Sequence, residues 1–276
     1  MKIGLAIAPK EALPSAFVVF REDLSRGISK VARLGYDGVE LALLSKDQVD
    51  VPSVRQLISR YNLDVPAVSS GQVFADAGLS FTSPDEKVRD GAVATLKGLV
   101  EVASEFGAKV NVGRVRGYIP VGEDRRVAED RFLWCMDKLA SYCESLGVEV
   151  VLEPVNRYET NFINRLAEGL ELLKRLGRDN VKLMPDTFHM NIEEASIIRS
   201  LEDAGSYIGY VHVADSNRHA PGDGHLDFLS ILSCLASLGY DDYITTEILP
   251  YPSPDEAAAR AIKHLRHIVD EVTRGY

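Results

Sequence analysis

Strand-like and helix-like periodicities alternate along the whole chain, and this alternation most limits the folds open to it. Short β-branched runs are followed by longer stretches whose apolar residues recur at three- and four-residue spacing, the pattern of repeated βα units. Strands are predicted at residues 2–8, 38–43, 64–69, 109–115, 149–154, 181–186, 209–214 and 243–248. A helix predicted at 85–106 carries Val88, Ala92, Leu96, Leu99, Val100 and Ala103 on one apolar stripe, and another at 130–146 carries Trp134, Met136, Cys135 and Cys143. Leu-Gly pairs at Leu34-Gly35, Leu146-Gly147, Leu176-Gly177 and Leu238-Gly239 read as glycine caps closing helices just before a strand.

Eight units in 276 residues give 34.5 residues each, one strand, one helix and two loops. No Pro/Ser-rich linker interrupts the series, so residues 1–276 are read as one domain, a (β/α)8 TIM barrel. A doubly wound open sheet is the competing architecture, but no GxGxxG follows the first strand and no GxxxxGK[ST] occurs anywhere.

The same composition excludes several classes of function. With 31 basic and 41 acidic side chains the net charge is −10, and the basic residues are scattered, which disfavours nucleic acid as a partner. No apolar run approaches a membrane span, and the N-terminus is a poor signal peptide and a good first strand, so a cytoplasmic location and no membrane partner are expected. Cys135, Cys143 and Cys234 are odd in number, form no CxxC pair and read as buried hydrophobes in a reducing compartment.

Chemistry gathers in the second half. Glu153, Asp186, His212 and Glu247 each stand at the C-terminal end of a predicted strand, in four consecutive units spaced 33, 26 and 35 residues apart. Any one alone would suit a structural ion pair or a satisfied core histidine. In a barrel these ends converge on one mouth, where three carboxylates repel each other unless a cation or protons neutralise them. Three oxygen donors and one imidazole suit a divalent ion such as Mn²⁺, with Co²⁺ and Mg²⁺ as alternatives. The adjoining loops are rich in donors and acceptors: Asn156, Arg157 and Glu159, then Phe188, His189 and Asn191, then Asp215, Asn217, Arg218 and His219. They suit a polyhydroxylated ligand; for Asn156, Asn191 and Asp215, helix capping or support of neighbouring residues stands beside that reading.

Four segments carry a family resemblance: Leu152-Glu153-Pro154-Val155-Asn156-Arg157-Tyr158-Glu159, Asp186-Thr187-Phe188-His189-Met190-Asn191-Ile192-Glu193-Glu194, His212-Val213-Ala214-Asp215-Ser216-Asn217-Arg218, and Gly239-Tyr240 leading to Glu247. With them the chain resembles the xylose isomerase-like TIM barrels, and within these the ketose 3-epimerases of the D-tagatose 3-epimerase type. The likeness is closer still to the 5-keto-L-gluconate epimerase type, through the Ala-Asp-Ser-Asn-Arg loop and the Arg-x-Arg after strand four. The resemblance implies that Glu153, Asp186, His212 and Glu247 bind the metal, that Glu153 and Glu247 also transfer protons, and that Glu159, His189 and Arg218 hold the reacting end of a ketose. Asp215 departs from the Gly-Glu that many ketose epimerases carry there, which bears on the sugar and not on the metal.

These roles fit C3 inversion through a cis-enediolate, one glutamate removing the proton and the other returning one to the opposite face. Hydroxypyruvate isomerase-like and inosose dehydratase-like reactions stay open, since both could use the same carboxylates. Endonuclease IV-like DNA repair is disfavoured, because the first histidine is His189. Arg114 and Arg116, placed on the same side of strand four by its alternation, are expected to receive the carboxylate of a keto-sugar acid, although either could instead pair with Glu123 or Asp124. The expected partner is a small sugar, and homo-oligomerisation is left open.

Overall fold

The first strand shows how the ring is built. In the computed structural model, which describes residues 1–13 and 16–275, β1 (Lys2–Ala8) turns Ile3, Leu5 and Ile7 into the large apolar layer shared with the helices, while Ala6 and Ala8 fall in a separate small cluster. That is the two-residue alternation of a strand with one face outward and one inward. β1 pairs in parallel with β2 (Gly38–Ala42) and β8 (Tyr243–Thr246). The ladder runs on from β2 through β3 (Ala67–Ser69), β4 (Lys109–Val112) and β5 (Val150–Leu152) to β6 (Val181–Leu183), and β8 pairs with β7 (Val211–Val213). Parallel bridges Leu183–Ile208 and Asp186–His212 close the ring between the sixth and seventh segments. The expected eight-stranded parallel barrel therefore forms, and a two-residue strand, Phe20–Arg21, pairs with β1 outside the ring.

A helix follows every strand: α1 (Leu24–Leu34), α2 (Val51–Tyr61), α3 (Glu86–Ser104), α4 (Arg125–Ser145), α5 (Leu166–Leu176), α6 (Ile197–Ala204), α7 (Phe228–Ser237) and α8 (Pro254–Gly275). Asp23, Asp85 and Asp124 cap the first turns of α1, α3 and α4 by accepting from backbone N–H groups. α4 thus begins five residues before the predicted residue 130. Its first two residues are arginines, and the Asp124 cap sets the start. α1 closes on Gly35 at φ 87°, a left-handed cap of the kind the Leu-Gly pairs predicted. Cys135, Cys143 and Cys234 are buried free thiols, and among the described residues no helix is long and apolar enough to cross a membrane.

Strand four differs from its prediction. It ends at Val112, and Arg114–Arg116 form a single 3-10 turn after Gly113. Alternation therefore does not extend to the two arginines, and they point to different places.

Inside the ring, Ala67, Val151, Met184, Tyr210 and Tyr243 pack together. The inward positions nearer the C-terminal strand ends carry Glu40, Asn111, Glu153, Asp186 and His212, all buried. Apolar packing thus fills one end of the barrel and polar groups the other, where the βα loops gather.

Candidate metal centre and active site

Glu153, Asp186, His212 and Glu247 come together, each offering one ligand atom within 4.8 Å of all the others. His212 Nδ1 lies 3.6 Å from Glu153 Oε1, 3.9 Å from Asp186 Oδ2 and 3.8 Å from Glu247 Oε2. These separations are too long for hydrogen bonds, and Nδ1 is a buried atom with no hydrogen-bond partner among the described residues. Three carboxylates and an imidazole around a common centre, with the imidazole nitrogen left unpaired, fit a divalent cation.

Local structure aims each ligand. Asp186 caps the short helix Thr187–Glu193: its Oδ1 accepts from the N–H groups of Phe188 and His189, so Oδ2 faces the centre. Glu153 Oε2 accepts from Asn111 Nδ2 at 3.1 Å. Space for this pair depends on Gly113, where a Cβ would sit 2.9 Å from Glu153 Oε2 and 3.0 Å from Asn111 Oδ1. Arg218, at φ 62°, places its guanidinium 4.6 Å from the Phe17 ring centre and 4.8 Å from that of Phe188. There Nη1 stands 3.0 Å from Asp186 Oδ2 and Nη2 pairs with Glu247.

The other nitrogen of His212 explains its orientation. Nε2 donates to Glu40 Oε2 at 2.8 Å, and both side chains are fully buried. This is the carboxylate–histidine arrangement that fixes the tautomer and ring angle of a metal ligand. Glu40 was not anticipated; its only signal was an inward-facing acid in the otherwise apolar run Val39-Glu40-Leu41. Glu40→Gln is expected to weaken Mn²⁺ binding about 10- to 100-fold, measured by competition with a chelator. An unaltered affinity would remove Glu40 from the site.

Electrostatics set the two glutamates apart. Burial pushes the Glu247 carboxyl up, reinforced by Glu153 and Asp186 against the opposing Arg218 and His212. Burial also raises Glu153, but the neighbouring His212 and His189, with the Asn111 amide, outweigh it and hold it low. Burial disfavours a charge on His212, yet Glu40, Glu153 and Glu247 reverse this and raise its pKa well above the ordinary value.

The cavity above this cluster is lined by Glu153, Glu159, His189, Arg218, Glu247 and Arg114, together with Phe17, Ser69 and Gln72. Asn156 Nδ2 donates to His189 Nδ1 at 2.7 Å, so the ring proton of the neutral imidazole sits on Nε2, the nitrogen beside Glu153 Oε1 and Arg218. Burial lowers the His189 pKa and favours that neutral form. Asn156 also donates to Glu159 Oε1 at 3.2 Å, so it supports two residues expected to hold substrate. Asp215 accepts from the N–H groups of Ser216, Gly222 and Leu226 and organises the loop that carries Arg218.

Of the two arginines expected at the mouth, only Arg114 lines the cavity. Arg116 is fully buried and donates to the carbonyls of Phe162, Gly113, Glu153 and Ile163. Burial lowers its pKa to about 10, which leaves it a cation at neutral pH. The 3-10 turn swings it behind the site, where it fastens the backbone of Glu153 and does not line the cavity. Neither arginine pairs with Glu123, whose partner is Arg131.

Residues 28–268 match the family described as Xylose isomerase-like TIM barrel. The chain belongs to that family. Among xylose isomerase-like TIM barrels it is similar to the L-ribulose 3-epimerase of Methylomonas sp. (strain DH-1), 35% identical over 225 residues, 80% of this chain and 77% of that protein. A solved L-ribulose 3-epimerase superposes with a TM-score of 0.86 at 27% identity, covering 99% of this chain and 96% of the other. The D-allulose 3-epimerase from Methylomonas sp. in complex with D-allulose gives 0.79 at 28% identity, covering 97% and 96%. The kinship with ketose 3-epimerases expected from the Glu153, Asp186 and His212 segments is met.

Proposed function

We propose that this chain is a metal-dependent ketose 3-epimerase that inverts C3, in ketose numbering, of a keto-sugar acid, with 5-keto-L-gluconate, whose C4 as an acid is that carbon, as the candidate substrate. The observation that carries the reading is the pair Glu153 and Glu247, which directly follow β5 and β8, meet at one centre and line one cavity. A hydrogen next to a ketone is a weak acid, and removing it develops negative charge on the carbonyl oxygen. A divalent cation held by Glu153, Asp186, His212 and Glu247 supplies Lewis-acid stabilisation of that charge. Mn²⁺ is the ion expected there, with Co²⁺ and Mg²⁺ as alternatives.

The protein's own groups do the rest. His189 Nε2–H and the Arg218 guanidinium donate to substrate oxygens at the reacting end, and Glu159 accepts from a hydroxyl. One of the two glutamates takes the C3 proton, leaving a planar enediolate. The other delivers a proton to the opposite face, which inverts the centre. A lone carboxylate would tend to return the proton to the side it came from.

Arg114 supports the acidic substrate. Its Nε and Nη2 donate to the Gly71 carbonyl, and Nη1 lies 3.8 Å from Glu159 Oε2, too far for a hydrogen bond. A guanidinium on the wall of a cavity floored by carboxylates offers an anionic sugar the counter-charge it needs. The expected result is a kcat/KM for 5-keto-L-gluconate about tenfold or more above that for its uncharged analogue, and a smaller ratio in Arg114→Ala. Equal values in the unmodified protein would return the substrate to the neutral ketoses. Incubation in D₂O with a panel of ketoses and ketouronates, followed by NMR, reads the reaction itself. Deuterium at C3 with inversion is expected, whereas exchange at C1 or loss of water would move the chain to the aldose-ketose isomerase or dehydratase class.

A further inference from the structure

Gln72 is buried at 3% exposure in the loop after β3, just before the short helix Val73–Ala77, and it lines the cavity. Its side-chain oxygen accepts from the Leu13 backbone N–H at 2.7 Å. Only an oxygen can accept there, so the amide cannot turn over and its nitrogen is committed to the other direction. That nitrogen, Nε2, is buried and has no hydrogen-bond partner among the described residues. A buried amide donor left unpaired is costly, and such groups in folded proteins call for an explanation.

The neighbouring residue supplies one. Gly71, directly before Gln72, holds Arg114 through its carbonyl, so the two side chains meet at adjacent residues of one loop. The guanidinium keeps Nη1 free of a hydrogen bond, and the amide keeps Nε2. Both residues line one cavity, and each keeps one donor, charged or neutral, after its other atoms are engaged. A hydroxyl can occupy one of them, whereas a carboxylate presents two acceptor oxygens and can occupy both. Glu159 does not fill that role, since its Oε1 already accepts from Asn156 and its Oε2 stays 3.8 Å from Arg114.

We infer that Gln72 is a specificity-determining residue, whose Nε2 donates with Arg114 Nη1 to the carboxylate at the end of the substrate remote from the metal centre. The inference rests on the acidic-substrate reading above and adds to it the group that would recognise the acid.

Gln72→Glu tests it, because the carboxylate still accepts from Leu13 N–H while replacing the unpaired amide donor by a negatively charged acceptor. Gln72→Met removes the donor without adding charge. The probes are 5-keto-L-gluconate and L-ribulose, assayed with saturating Mn²⁺, and Mn²⁺ affinity and melting temperature report that each variant is folded. For 5-keto-L-gluconate, KM should rise about tenfold or more in Gln72→Glu and by less in Gln72→Met. In both, kcat should fall far less than KM rises, and the preference over L-ribulose should shrink. A preference in the unmodified protein that both folded variants keep would overturn the role of Gln72 and leave the acidic substrate standing. No preference in the unmodified protein would overturn the acidic substrate, and this subsite with it.

Discussion

Glu153→Gln and Glu247→Gln should each lower the rate of epimerisation by about 10²-fold or more, the loss typical of removing a general acid or base. The two variants need not fail in the same way. When the glutamate that takes the proton is replaced, C3 exchange with solvent and inversion should disappear together. When the one that returns it is replaced, deuterium should still enter at C3 without inversion, because the remaining carboxylate can abstract and return on one face. Exchange and inversion, followed by NMR in the same D₂O sample, separate these cases. Near-normal epimerisation in both variants would end the two-base scheme. Since both carboxylates also belong to the cluster around His212 Nδ1, Mn²⁺ affinity must be measured for each, so that loss of metal is not mistaken for loss of a proton carrier.

Exhaustive chelation is expected to abolish turnover, and Mn²⁺ or Co²⁺ to restore it. Asp186→Asn and His212→Ala should lower the affinity for the ion. Stability should move with occupancy, since a ligand that binds only the folded state stabilises it by about 2.7 kcal/mol at a free concentration one hundred times its Kd. For a chain of this size that corresponds to a rise in Tm of roughly 5–10 °C. Calorimetry with and without a Mn²⁺ excess checks this directly. Full activity after chelation would refute the metal centre, however well its four residues converge.

How much of this was legible beforehand follows from where each signal lies. Glu153, Asp186, His212 and Glu247 stood out because each is an ionisable group ending an apolar strand, repeated at the spacing of one βα unit. Eight such units also dictated the barrel. Arg116 misled because strand alternation was carried past Val112, where Gly113 lets the chain turn into a 3-10 segment. Glu40 sits in β2, far in sequence from every motif, and only ring closure shows that it faces His212. Gln72 is one polar residue in a polar loop. Its meaning lies in the partner of its oxygen and the missing partner of its nitrogen, neither of which has a sequence signature.

The Glu40–His212 hydrogen bond has a consequence for assembly of the chain. It spans 172 residues, from the second strand to the seventh, so the early part of the barrel orients a ligand that the late part provides. Glu153, Asp186, His212 and Glu247 all lie in the second half, yet a second half without the first would hold His212 without its orienting acid. Tight ion binding would then require that the second strand has docked in the ring. Affinity for the ion becomes a reporter of native topology, and the ion selects for completed rings.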